Sequence, residues 1–462
     1  MTKYESSDRL IINSLITPLA RLFDRLSDRL IWLSEHPVYG VMAIALVAFA
    51  TRFWNLDGTA DIVFDEVYYP KFAQNYLRGE PLFDAHPPLA KYIIALGIQI
   101  FGYAPFGYRC MTALAGSLLP LVTYELIWQL SDRRGWAWLT GWFMAMDGLL
   151  LVESRFGLIN IYILLFGMLS QLCMVLALKR SRQRWFWIII TGLMLGASVS
   201  VKWTGLAYMV GLVAIAGYAW SRYRQTLKAT QIIIGLIIVP IAFYFVDWIP
   251  HLMLNPERDI WELHRQILGF HQNLGVGKTE PIHPYCSPWW SWVLLIRPIA
   301  YFFENRPNSM VEFVHAMGNP ILYWLSAIAL LICLTFLIAS KFRFPPKILT
   351  KALTKIPPQE RLQLFWFTCY VTASFFAHWL PWSLSKRCIF LYHYMPASVF
   401  AFAALALLVS LIWRSPLQNI RAIGTGIFVV VAIAFIFWLP IYIGLPISSG
   451  YLPVLMWLRS WI

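Results

Sequence analysis

Two adjacent carboxylates, Asp65 and Glu66, open the stretch "DEVYYPKFAQNYLRGEPLFDAHPPLAK" (65–91), and Asp84, His86 and Lys91 follow within it. Arg52, Arg109, Glu153, Arg155, Lys202, Lys386, Arg387 and His393 stand at the ends of other apolar segments. Ionisable groups at membrane depth are costly and mark a pair or a site. Several cations with few compensating acids suit a phosphate anion. A desolvated carboxylate beside them stays basic enough to take a proton from a hydroxyl. The pattern suits a phosphate-bearing donor meeting a hydroxyl acceptor, and leaves the substrate open. Helix-dipole placement alone accounts for acids ahead of "YYPKFAQNYL", but not for the cations around them. For His86 and Lys91, ligand contact and a structural role both stand, Lys91 as a snorkelling side chain. The same two readings stand for Lys202 and His393. Arg109 and Arg155 have a positioning role open to them through Glu153 or Asp147.

The elements that must position these residues are transmembrane helices. Of 462 residues, 59% are hydrophobic and only 13% charged, and mean hydropathy is +0.61; a soluble domain carries roughly a quarter charged residues. Apolar runs near 38–54, 106–130, 135–152, 156–178, 186–201, 203–220, 230–249, 320–340, 363–381, 389–413 and 422–445 are long enough to span a bilayer as helices. The expected fold is all-α and integral to the membrane, with eleven spans. The N-terminal 37 residues and alternate short loops hold 22 of the 37 basic and 7 of the 23 acidic residues, which places them in the cytoplasm. Topology therefore accounts for the net charge of +14, leaving no case for nucleic acid. The chain divides into a cytoplasmic segment over 1–37, amphipathic over 9–33, a membrane module over 38–249 with an outer loop at 55–104, a second outer loop at 250–318, and C-terminal helices over 319–462. His251, His264, His271 and His283, scattered through the second loop, are expected on its surface. The tryptophans of "SPWWSW" (287–292) read as an aromatic belt. Cys286 and Cys388 are the only plausible bridge partners; sequence does not decide the matter, and free thiols are expected. No Cys/His spacing suits a metal.

The stretch "FDEVYYPKFAQNYLRGEPLFDAHPPLAK" resembles the first-loop signature of the protein O-mannosyltransferases. Further similarity follows in "YRCMTALAGSLLP" (108–120), "ESRFGLINIYILLF" (153–166), "SVKWTGL" (200–206), "CSPWWSWVLLIRPIAYFF" (286–303), "GNPILYWL" (318–325) and "YHYMPASVFAF" (392–402). The resemblance covers about residues 50–405. It implies a multi-span glycosyltransferase of the GT-C type that moves mannose from polyprenyl-phosphate-mannose to Ser or Thr hydroxyls of secreted or membrane proteins, inverting the anomeric centre without a metal or other cofactor. It further implies that Asp65 is the general base, that Glu66 orients sugar or acceptor, and that Arg52 and Arg109 organise the acidic pair and the lipid phosphate. His86, Lys91, Arg155, Lys202, Arg387 and His393 complete the expected substrate-binding set. The family usually has Asp where this chain has Asn160, and its eukaryotic members insert a β-trefoil for which 250–318 has no room, so a bacterial cell membrane is the expected setting. Homodimerisation is left open. Two competing readings are a polyprenyl-phosphate-sugar transferase acting on an envelope glycolipid and a lipid or sugar transporter. "HPPLAK" favours a protein acceptor over the glycolipid. A transporter predicts internal symmetry of the halves, which the sequence lacks.

Overall fold

The computed structural model describes residues 22–223, 227–273, 283–341 and 357–462. Helix α1 (Leu22–Glu35) carries the described part of the amphipathic segment and bends by 99° into α2 (Pro37–Phe53). The break follows from Pro37, which holds His36 in extended backbone and opens the new helix at its first position. The expected 55–104 loop contains two further helices, α3 (Tyr69–Arg78) and α4 (Leu89–Phe101). Then come α5 (Pro105–Ser131), α6 (Arg134–Ala145), α7 (Gly148–Arg155), α8 (Asn160–Lys179), α9 (Arg184–Val199) and α10 (Tyr208–Tyr223). After these run α11 (Ala229–Leu254) and α12 (Ile260–Asn273). The C-terminal helices are α13 (Pro320–Lys341), α14 (Pro358–Trp379), α15 (Met395–Trp413) and α16 (Gln418–Tyr442).

Every expected span is helical, yet among the described residues only seven helices are long and apolar enough to cross a bilayer unaided, or eight with the bent α1–α2 pair counted as one. The remainder of the expected eleven are shorter, broken or more polar. Segment 135–152, for instance, is split between α6 and α7, because Asp147 caps α7 through the Leu150 N–H. The span beginning at Asn160 and that over Leu391–Trp413 are each 83% buried over their most apolar stretch, against 17% for Ala229–Leu254. The former pair form the centre of the bundle and α11 an exposed apolar flank.

An all-α expectation needs one amendment. Strands β1 (Ile299–Arg306), β2 (Met310–Ala316) and β3 (Pro446–Ser448) form a small antiparallel sheet in the order β1-β2-β3. Neither "IAYFFENR" nor "MVEFVHA" alternates apolar with polar residues, so no two-residue period marks them against the surrounding apolar runs. The expectation of free thiols is likewise overturned: Cys286 and Cys388 form a disulfide with Cα atoms 5.3 Å apart. Beside it, the Ser287 N–H donates to the Ile389 carbonyl at 2.9 Å. The bridge joins residues 102 positions apart, a proximity that only tertiary folding creates.

Candidate active site

Residues 64–67 form a single 3₁₀ turn entered through Phe64, whose φ of +50° lies in the left-handed region. That conformation is rare for a bulky side chain and persists only where the surroundings enforce it. Here the Phe64 ring stacks on Tyr301 of β1 with centroids 4.1 Å apart. The small sheet thus holds the strained residue that aims Asp65.

The two carboxylates have opposite fates. Glu66 is buried and saturated: Arg109 donates to Oε1 from Nε at 2.8 Å and to Oε2 from Nη2 at 2.7 Å. The backbone N–H groups of Gly157 and Val63 fill the remaining positions at 2.7 and 3.0 Å. A side chain at residue 157 would meet Pro70 Cγ and the Tyr108 carbonyl at 3.1 Å, so glycine permits this close approach. Arg109 also donates to the carbonyls of Leu56, Thr59 and Asp61, stapling residues 56–66 to α5. Asp65 is half-buried, and its carboxylate has no hydrogen-bond partner among the described residues. Desolvation pushes its pKa up to about 6, against the pull of Lys202, with Asp84 adding to the rise. Such a carboxylate is tuned for proton abstraction near neutral pH.

Lys91 is committed to structure. Its ammonium pairs with Asp84 at 2.5 Å and donates to the carbonyls of His86 and Pro87, while Asp84 accepts the His86 N–H at 3.1 Å. This lock holds His86 against a cavity of about 850 Å³. Lys202, Arg387 and His393 line the same cavity, together with His271, Tyr392 and Asn160. No carboxylate lines it among the described residues. Apolar lining comes from Ile163, Leu164, Leu206, Val210 and Leu268. Burial lowers the Lys202 pKa to about 8, with Glu153 and Asp65 opposing the shift, and pushes the His86 imidazole well below its ordinary range.

Arg52 and Arg155 lie apart from this cavity. Arg155 donates to the carbonyls of Thr51, Arg52, Trp54 and Asn55, capping the C-terminus of α2. Arg52 reaches the carbonyls of Met144 and Ala145. With Arg109, these arginines form the frame beneath the acidic pair.

None of the four histidines expected on the surface is fully exposed, His283 being half-buried. His251 is buried and bonds Tyr76 Oη at 2.7 Å, and His264 bonds Tyr244 Oη at 2.7 Å. His271 stands 5.1 Å from the His86 ring at the cavity wall. The i, i+4, i+7 spacing of His264, Leu268 and His271 places them on one helix face, a signal hidden by reading 250–318 as loop. Trp292 of the expected aromatic belt is fully buried and stacks on His393 at 6.1 Å. Tyr301 donates to buried Glu153, with no sequence signal to reveal it.

The family model "Dolichyl-phosphate-mannose-protein mannosyltransferase" matches residues 42–106 and 104–254. That of the "C-terminal four TMM region of protein-O-mannosyltransferase" matches 256–461. The polyprenol-phosphate-mannose–protein mannosyltransferase of Corynebacterium glutamicum is 26% identical over 90% of this chain and 92% of its own. Its Mycolicibacterium smegmatis namesake is 23% identical over 90% and 92%. In three dimensions the chain is similar to the S. cerevisiae protein O-mannosyltransferase Pmt1-Pmt2 complex bound to the sugar donor, with a TM-score of 0.79 at 16% identity, covering 92% of this chain and 93% of that one. A more distant likeness, TM-score 0.53 at 13% identity over 88% and 71%, is to ArnT of Cupriavidus metallidurans bound to undecaprenyl phosphate. Matched by family models along nearly its whole length, this multi-pass membrane chain belongs to the protein O-mannosyltransferase family.

Proposed function

We propose that the chain transfers mannose from polyprenyl-phosphate-mannose to Ser or Thr hydroxyls of secreted or membrane proteins, on the outer face of a bacterial inner membrane. One observation carries this reading: an elevated-pKa Asp65, unpartnered among the described residues, lies within electrostatic reach of Lys202, which lines a cavity of cations, imidazoles and apolar side chains. Asp65 takes the proton of the acceptor hydroxyl as its oxygen attacks the anomeric carbon. The bond from that carbon to the phosphate oxygen breaks on the opposite side, inverting the centre. Polyprenyl phosphate leaves with the bonding electron pair, its charge met by Lys202 and Arg387. Positive side chains aimed at a leaving phosphate do the work of a metal ion, and no metal or organic cofactor enters the scheme. His86 supplies a neutral donor to the phosphate or sugar, while the neutral rings of His271 and His393 spend their N–H on the carbonyls of Ala85 and Phe390 and shape the wall. Glu66, Arg109, Arg52, Arg155 and Lys91 act by positioning. Family membership favours this reading over glycolipid modification and over transport.

The test is transfer in vitro, with labelled polyprenyl-phosphate-mannose, a Ser/Thr-rich peptide, and a chelator in parallel. Label is expected in the peptide, unaffected by chelation, and reduced by about 10²–10⁴-fold in Asp65→Asn, the range for loss of a general base. Label entering lipid alone would assign the glycolipid activity instead.

A further inference from the structure

Asn160, where the resembled family usually carries Asp, bridges two charged groups that would otherwise meet. Its Nδ2 donates to Glu153 Oε2 at 3.0 Å, and its Oδ1 accepts from Lys202 Nζ at 2.6 Å. Its orientation is dictated by these partners, since the reverse would face oxygen to carboxylate and NH₂ to ammonium. Glu153, fully buried, receives its other hydrogen bond from Tyr301. Two neutral donors therefore satisfy the acid, and no cation among the described residues touches it directly. Among the described residues Lys202 makes one hydrogen bond, to Asn160, and lies 5.4 Å from the centre of the Tyr392 ring. Both Lys202 and Asn160 line the cavity.

We propose that Asn160 is a positioning residue, a neutral spacer that keeps Lys202 from closing onto a fixed carboxylate and leaves its charge for the phosphate of the lipid-linked donor. The inference rests on the cavity being the donor site. In this chain, where Glu153 already supplies an acid, a carboxylate at 160 would be a second one, in direct contact with the ammonium and at hydrogen-bond distance from Glu153. It would neutralise the one and share a proton with the other, as crowded acid pairs do. The groups that act on Lys202 are Glu153 from α7, Asp65, Asp84 and His86 from the 55–104 segment, Arg387 and His393 from the segment before α15, and His271 from α12. Of these, Glu153 is the acid that shares a bridge with Lys202; it acts on the ammonium through space, and Asn160 keeps the two from direct contact.

The experiment measures binding of polyprenyl phosphate, without mannose, to the full chain in detergent as a function of pH, alongside KM and kcat for transfer. Asn160→Asp, nearly isosteric, is expected to weaken polyprenyl phosphate binding and raise the donor KM about tenfold, the equivalent of ~1.4 kcal/mol, with kcat less affected. The alkaline limit of binding should move up by about one pH unit, because a second acid holds the ammonium proton. Glu153→Gln should move that limit down, because it removes an acid. Opposite displacements by adjacent isosteric changes are not produced by a loss of packing. If Lys202→Met binds polyprenyl phosphate as the wild type does, the donor-site reading fails. If Lys202→Met weakens binding while Asn160→Asp alters neither affinity nor its pH limit, the spacer role alone fails. Should Asn160→Asp not fold, an unmoved limit in Glu153→Gln overturns the proposal equally.

Discussion

Replacing Arg109 by Met removes the staple beneath the acidic pair without touching the cavity. Glu66 would keep the N–H groups of Gly157 and Val63 but lose both bonds to the guanidinium. Removing one partner of a buried ion pair costs about 3–5 kcal/mol. The carbonyls of Leu56, Thr59 and Asp61 lose their donor as well, at about 1 kcal/mol each before relaxation. Protonation of Glu66 and rearrangement of an exposed segment recover part of this, leaving a net loss of about 4 kcal/mol, centred on the ion pair. With residues 56–66 released from α5, Asp65 loses its fixed position, and a displacement of about 1 Å lowers transfer roughly 10²-fold. The assay pairs thermal unfolding in detergent with mannosyl transfer for Arg109→Met, Glu66→Gln and the double variant. Each single change leaves a buried partner uncompensated, so the double variant should be more stable than the sum of the singles by about 0.5–3 kcal/mol. Wild-type kcat/KM in Arg109→Met would refute the positioning argument. Glu66→Gln that melted normally but lost affinity for donor or peptide would show Glu66 touching substrate, against the saturated geometry.

The pH profile of transfer should be bell-shaped. Asp65 acts deprotonated, so activity falls as pH drops through about 6, while Lys202 acts protonated, so activity falls as pH rises through about 8; an acid limb unchanged in Asp65→Glu at matched fold would count against Asp65 as the base. Lys91→Met should leave Asp84 buried and unpaired and free the His86 loop, lowering the unfolding midpoint together with activity; a KM effect without destabilisation would point to ligand contact. Removing the Cys286–Cys388 bridge by paired Ser substitution should cost about 2–4 kcal/mol and loosen Arg387 and His393, seen as a lower unfolding midpoint and a raised donor KM.

How much was legible in the residues divides along a physical line. Hydropathy run length, and the Lys/Arg asymmetry of short loops, are local sums along the chain, and they carried the membrane class, the helical segments and the clustering of ionisable groups. The family resemblance rested on "FDAHPPLAK" and its companions, again contiguous residues. Apart from the family resemblance, which singles out Asp65 as the base, sequence order does not distinguish Asp65 from Glu66, because adjacent carboxylates on one turn differ only in which neighbours reach them. Folding brings Arg109 and Gly157 to one, and leaves the other open beside Lys202. Nor could it separate Lys91, consumed by Asp84 and two carbonyls, from Lys202, which faces a cavity. The bridge between Cys286 and Cys388, the stacking of Phe64 on Tyr301, and His271 at the cavity wall all join residues remote in the chain. Composition and periodicity determined what kinds of groups must be buried together. Only the packing of the helices decided which of those charges are satisfied by the protein, and which are left for a ligand.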